Sequence, residues 1–141
     1  MPLRISKVNV LKNVSLFSAC TNRELAQIAS LVDEVDVSKG AVLTEEGGPG
    51  REFFAIIDGE AEVSLRKKKL ATLGPGQFFG EMSLLDQGPR AATVKAATDM
   101  KLYVLDARSF STLLDKHPAV ARKILRGMAQ RLREIEQAPT H

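Results

Sequence analysis

Between residues 35 and 106 the chain is cut into short apolar runs by glycine-bearing turns, and no other feature constrains its fold as tightly. The runs fall at 41–44, 53–58, 61–66, 70–73, 91–97 and 102–105. Ala61, Val63 and Leu65 alternate with Glu62, Ser64 and Arg66, the spacing that turns one side of a strand to a core and the other to water. Gly47-Gly48-Pro49-Gly50, Asp58-Gly59 and Gly74-Pro75-Gly76 separate the runs and supply the backbone conformations that turns require. Short strands about 8–12 residues apart, with turn signals between them, lead to a sandwich, a barrel or a jelly roll.

Both flanks change to helical periodicity. Over 22–32, Thr21 or Asn22 serves as N-cap, Glu24 sits in the first turn, and Leu25, Ile28, Ala29 and Val32 share a face. Val8, Leu11, Val14, Leu16 and Phe17 suggest a short helix and an apolar connector before it. After the strands, a helix over 107–116 ends near His117-Pro118, because the residue before a proline resists the helical conformation. Pro118 then opens a second helix running to about residue 136. The expected fold is α+β: an antiparallel β-roll (jelly roll, double-stranded β-helix) at 35–106, between a helical N-terminus at 1–34 and C-terminal helices at 107–136. With 141 residues, the chain is expected to form one domain over 1–141.

Several function classes are set aside on composition. The single cysteine, Cys20, excludes an intramolecular disulfide framework and reads as a small buried residue. No apolar run approaches the roughly 18–20 residues of a membrane span, and the first residues lack a secretory signal, so a cytoplasmic protein is expected. The net charge of +3 is mild for a nucleic-acid binder, and Lys67-Lys68-Lys69 reads as a solvated hairpin tip. His117 and His141 are the only histidines, so neither a metal site of the cupin kind nor a Ser/His/Asp triad is expected, and no enzyme activity.

One segment, at 76–94, differs in kind: Gly76-Gln77-Phe78-Phe79-Gly80-Glu81-Met82-Ser83-Leu84-Leu85-Asp86-Gln87-Gly88-Pro89-Arg90-Ala91-Ala92-Thr93-Val94. Gly80 carries no side chain that would keep a ligand off the backbone. Residues 81–85 make one helical turn whose first amides would face an anion. Arg90 follows a Gly88-Pro89 turn, and its guanidinium would grip a phosphate through two parallel hydrogen bonds. Ala91 and Ala92 leave room beside it, and Glu81 offers an acceptor to a sugar hydroxyl. Amides, arginine and carboxylate together match a ribose cyclic phosphate.

The segment resembles the phosphate-binding cassette of cyclic-nucleotide-binding domains, the family found in protein kinase A regulatory subunits, the catabolite activator protein and cyclic-nucleotide-gated channels. Phe79-Gly80-Glu81 and Pro89-Arg90-Ala91-Ala92-Thr93-Val94 carry the likeness. Phe53-Phe54-Ala55-Ile56, Asp58-Gly59-Glu60 and Val63-Ser64-Leu65 extend it before the cassette, and Phe110 and Leu113-Leu114 after it, over about residues 10–136. The resemblance implies that Arg90 binds the exocyclic phosphate oxygens and Glu81 the ribose 2′-hydroxyl. It implies that amides around Gly80, Met82, Ser83 and Ala91 complete the cradle, and that Val63 and Leu65 make apolar contacts to the nucleotide. A lid over the base would come from the last helix, with Arg122, Leu125, Arg126 and Met128 as candidates. Arg51 departs from relatives that carry an acid there to brace the phosphate-binding arginine; the nearby acids are Glu45, Glu46 and Glu52. Kinase-type relatives with a threonine directly after the arginine favour cyclic GMP; Ala91 points to cyclic AMP, with cyclic GMP as the second ligand.

The expected function is a cyclic-nucleotide sensor that signals through movement of its C-terminal helix to an effector protein the sequence does not name. Leu125, Met128, Leu132 and Ile135 form a seam of about two heptads, open to packing on the β-roll or to pairing in a homodimer. A recognition helix for DNA is not expected after it. A ligand-free interaction module, or a regulatory fragment of a larger kinase, channel or transporter, are the alternatives.

Overall fold

The computed structural model describes residues 6–86 and 88–137. Its N-terminal part is helical because the caps in the sequence are satisfied. Helix α1 (Lys7–Lys12) is capped by the Ser6 side chain, and α2 (Asn22–Ala29) opens with a reciprocal pair: Glu24 N–H donates to Thr21 Oγ1, and Thr21 N–H to Glu24 Oε1. A 3-10 turn (Ser15–Phe17) joins them and turns Leu16 and Phe17 into the core. Helix α2 stops at Ala29 rather than 32, the chain then passing through turns into a strand.

Eight strands follow among the described residues: β1 (Asp33–Val37), β2 (Val42–Thr44), β3 (Glu52–Asp58), β4 (Ala61–Leu65), β5 (Lys68–Leu73), β6 (Phe78–Phe79), β7 (Thr93–Ala96) and β8 (Met100–Asp106). They pair antiparallel throughout in two four-stranded sheets, ordered β1-β8-β3-β6 and β2-β7-β4-β5. The antiparallel β-roll is thus present. Its inner positions form one cluster around Phe54, Ile56, Val94 and Leu102, while a larger cluster around Phe17, Leu25, Phe53, Leu105 and Phe110 lies under the helices. Two strands were not expected from the sequence, β1 and β6. The hairpin tip between β4 and β5 is Arg66-Lys67, both at positive φ, so that Lys68 and Lys69 belong to strand β5.

Helix α3 (Ala107–Lys116) is capped by Asp106, whose side chain accepts from Ser109 N–H, and it ends at His117 before Pro118 as expected. Helix α4 (Pro118–Gln137) buries Val120, Ile124 and Gly127. The heptad seam does not pack on the roll: Leu125, Leu132 and Ile135 are exposed, and only Met128 is half-buried. The buried face instead steps through Val120, Ile124 and Gly127, with Lys123 and Arg131 beside it.

Candidate functional site

The cassette is hung on β3 by two aromatic pairs. Phe79 pairs with Phe54 in the β3–β6 register, their rings stacked with centroids 5.0 Å apart, and Phe78 lies 5.8 Å from Phe53. Beyond β6 the chain must turn sharply, and Gly80 does so in the left-handed region (φ 81°), opening a 3-10 turn over Glu81–Leu84. The Ser83 amide closes that turn on the Gly80 carbonyl at 3.1 Å, so it faces the chain rather than the cleft.

Arg90 sits opposite. Its own backbone is clasped by the glycine-rich loop: Arg90 N–H donates to the Gly48 carbonyl, and Gly47 N–H to the Arg90 carbonyl. Nη1 donates to Ser83 Oγ (2.8 Å) and Nη2 to the Glu52 carbonyl oxygen (2.9 Å), while Cζ lies 5.8 Å from the centre of the Phe54 ring. Nε is buried and has no hydrogen-bond partner. Burial lowers the Arg90 pKa from its ordinary value, and the nearby charge of Glu52 opposes that shift. The brace on the guanidinium is thus the Glu52 backbone carbonyl rather than a carboxylate at position 51.

Gly80 has a different task from the one read in the sequence. A Cβ there would meet Arg90 Nη1 at 2.7 Å and the Glu52 carbonyl oxygen at 2.8 Å. The space it leaves open is filled by the arginine itself.

Beside these groups lies a cleft of about 390 Å3. Of the residues expected at the site, Phe79, Gly80, Glu81, Met82, Ser83, Arg90, Ala91 and Ala92 line it. Val63 and Leu65 do not: Val63 packs against the inner core of the roll, and Leu65 is half-buried at the end of β4. Nor do the lid candidates. Arg122, Leu125 and Arg126 are exposed on α4, and Met128 lies in an apolar groove with Leu16 and Met82. The α4 residue that hydrogen-bonds to the cassette, among the described residues, is Arg131, whose Nη1 donates to Glu81 Oε1 at 3.1 Å. The sequence reading missed it because nothing in a helical periodicity tells which flanking arginine meets a loop fifty residues away. Thr44, Asp86, Gly88 and Pro89 also line the cleft, Thr44 donating its hydroxyl to the Ala92 carbonyl. Among the described residues, no group of three or more histidine, cysteine or acidic side chains is placed to hold a metal ion, and no helix is long and apolar enough to cross a membrane.

A family model described as the cyclic nucleotide-binding domain matches residues 34–117. The chain is 34% identical, over 115 residues, to a cAMP-dependent protein kinase regulatory subunit of Colletotrichum orbiculare, a match covering 80% of this chain and 29% of that protein. It is 26% identical, over 129 residues, to a CRP-like cAMP-activated global transcriptional regulator of Mycobacterium tuberculosis, covering 88% of this chain and 58% of that one. The chain thus spans less than two thirds of either relative. Among solved structures, the N-terminal domain of a transcriptional regulator from Streptomyces coelicolor A3(2) superposes with a TM-score of 0.81 at 34% identity, covering 93% of this chain and 94% of that one.

Proposed function

The chain belongs to the cyclic nucleotide-binding domain family, and from that premise we propose that it binds cyclic AMP in the cleft lined by Glu81, Ser83, Arg90 and Ala91 as a regulatory sensor with no chemistry of its own. The observation that carries this reading is Arg90: a guanidinium fixed by Ser83 and Glu52 beside an open cleft, with its Nε donor unpartnered. A buried donor without an acceptor is costly, and an anionic oxygen is a strong acceptor for it. Glu81, at the opposite end of the turn, takes the ribose 2′-hydroxyl. Ala91 in place of a hydroxyl-bearing residue favours cyclic AMP over cyclic GMP, and two relatives have cAMP in their names. The signal passes through α4 to an effector protein in the cytoplasm, in line with relatives named as regulators.

A second reading, a ligand-free interaction module, rests on the internal acceptors that already hold two of the Arg90 nitrogens. Calorimetric titration of cyclic AMP and cyclic GMP into the wild type and Arg90→Ala separates the two. Losing a charged hydrogen-bonding partner is expected to cost at least ~1.5–3 kcal/mol of binding. Cyclic AMP binding that is tighter than cyclic GMP binding and collapses in the variant supports the sensor; folded wild type that binds neither nucleotide supports the ligand-free module.

A further inference from the structure

Arg51 does not line the cleft beside Arg90. It stands instead at a second cleft, of about 620 Å3, with Asp106, Ala107, Arg108, Ser111 and Thr112. Two segments far apart in sequence are locked together there. Ala107 N–H donates to the Arg51 carbonyl at 2.9 Å, and Glu52 pairs with Asp106 where β3 meets β8. Arg108, Ser111 and Thr112 follow at the three- and four-residue steps that share one face of α3. Arg51 at the start of β3 and Arg108 in the first turn of α3 are thus held at one opening by regular structure.

The charges at that opening are not balanced. Among the described residues, neither guanidinium has an ion pair or a side-chain hydrogen bond. Asp106 is the one carboxylate in the lining, and its Oδ2 is engaged as the cap of α3, accepting from the Ser109 amide at 3.1 Å and the Ser109 hydroxyl at 3.4 Å. One carboxylate against two guanidiniums leaves the cleft positive. The Ala107 and Ser109 amides are already spent on Arg51 and Asp106, so the donors that remain are side chains. The Thr112 hydroxyl donates to the Arg108 carbonyl, while that of Ser111 is exposed and has no partner among the described residues.

We propose that this second cleft binds a phosphomonoester, with Arg51 and Arg108 as its charged partners and Ser111 as a hydroxyl donor. At neutral pH such a group carries close to two negative charges and three acceptor oxygens, which two guanidinium forks and a hydroxyl match. Arginine suits the task because its planar fork is weakly hydrated and keeps its charge. A carboxylate, with one charge and two oxygens, satisfies only one fork. The proposal accounts for the arginine at position 51, and it needs no nucleotide at Arg90.

Titrating inorganic phosphate, at constant ionic strength, into the isotope-labelled full chain tests it, with amide NMR shifts followed in wild type, Arg51→Gln and Arg108→Gln. Both side chains are exposed, so the variants are expected to keep the wild-type Tm. Saturable shifts centred on 51 and 106–112 are expected, with affinity weakened about 2- to 5-fold in each variant, the worth of one exposed charged contact. Acetate is expected to bind more weakly than phosphate. A glycine-flanked phosphoserine peptide then distinguishes the sources of the phosphate. Tighter binding than inorganic phosphate assigns the cleft to a phosphorylated partner protein, and binding no tighter assigns it to a small free phosphate. Shifts absent from 51 and 106–112, or confined to 80–92, overturn the proposal. So does affinity unchanged in either variant, and acetate that binds as tightly as phosphate overturns the choice of ligand.

Discussion

A methyl group at position 80 would collide with Arg90 Nη1 on one side and with the Glu52 backbone carbonyl on the other, in a conformation that already disfavours side chains. Gly80→Ala is therefore expected to destabilise the fold by about 1–3 kcal/mol and to displace the guanidinium. Urea denaturation would show the first effect. Weaker cyclic AMP binding by a variant that remains folded would show the second. Arg90 and Glu81 were legible in the sequence as residues that line the cleft, because each residue type brings its own chemistry there. Gly80 was singled out for a ligand's approach and instead makes room for the guanidinium. The groups that hold Arg90 were not legible. Ser83 Oγ lies seven residues before it, and the Glu52 carbonyl, which any residue could supply, lies thirty-eight residues before it. Only the folded register of β3 against β6 brings that carbonyl into place.

Among the elements, the β4–β5 hairpin carries an avoidable strain. Arg66 and Lys67 both adopt left-handed backbone angles (φ 52° and 67°), the pattern that Asn-Gly satisfies at low cost. The double substitution Arg66→Asn, Lys67→Gly is expected to stabilise the protein by ~1 kcal/mol, read as a higher Tm. The Arg66 amide that donates to Glu46 Oε1 survives in the variant. Strands β3, β4 and β8 were readable because their apolar residues face a core. Strand β1 was not, since Asp33-Glu34-Val35-Asp36 is exposed along its length and held in the sheet by backbone pairing with β8. Pairing of that kind leaves no hydrophobic signature. The apolar stripe of α4 left two uses open, packing on the roll or pairing in a homodimer, and the first is not the one seen. Leu125, Leu132 and Ile135 give a strong period but stay in solvent, while the small Gly127 makes the closest contact.

For the molecule as a whole, Glu24 and Lys123 join helix α2 to helix α4. The hydrogen bond from Lys123, followed by that from the Thr21 amide, holds the Glu24 carboxyl below its ordinary pKa. A folded-state pKa below the unfolded one contributes stability that is present above about pH 4.3 and lost as pH falls through the lower folded value. Urea midpoints measured from about pH 6 to about pH 3 are expected to fall in wild type, and to fall less steeply in Glu24→Gln, which has no carboxyl to protonate. The roll also has edges to protect. Strand β5 ends its sheet, with Lys68, Lys69 and Leu70 exposed along it, and at the other edge β2 is only three residues long. An open strand edge invites a neighbouring molecule to add its own strand, and paired lysine charges make that approach costly. Salt weakens such repulsion. Crowded, salty solutions are thus where this fold stands closest to chain-to-chain association, and the basic hairpin serves as its guard against aggregation.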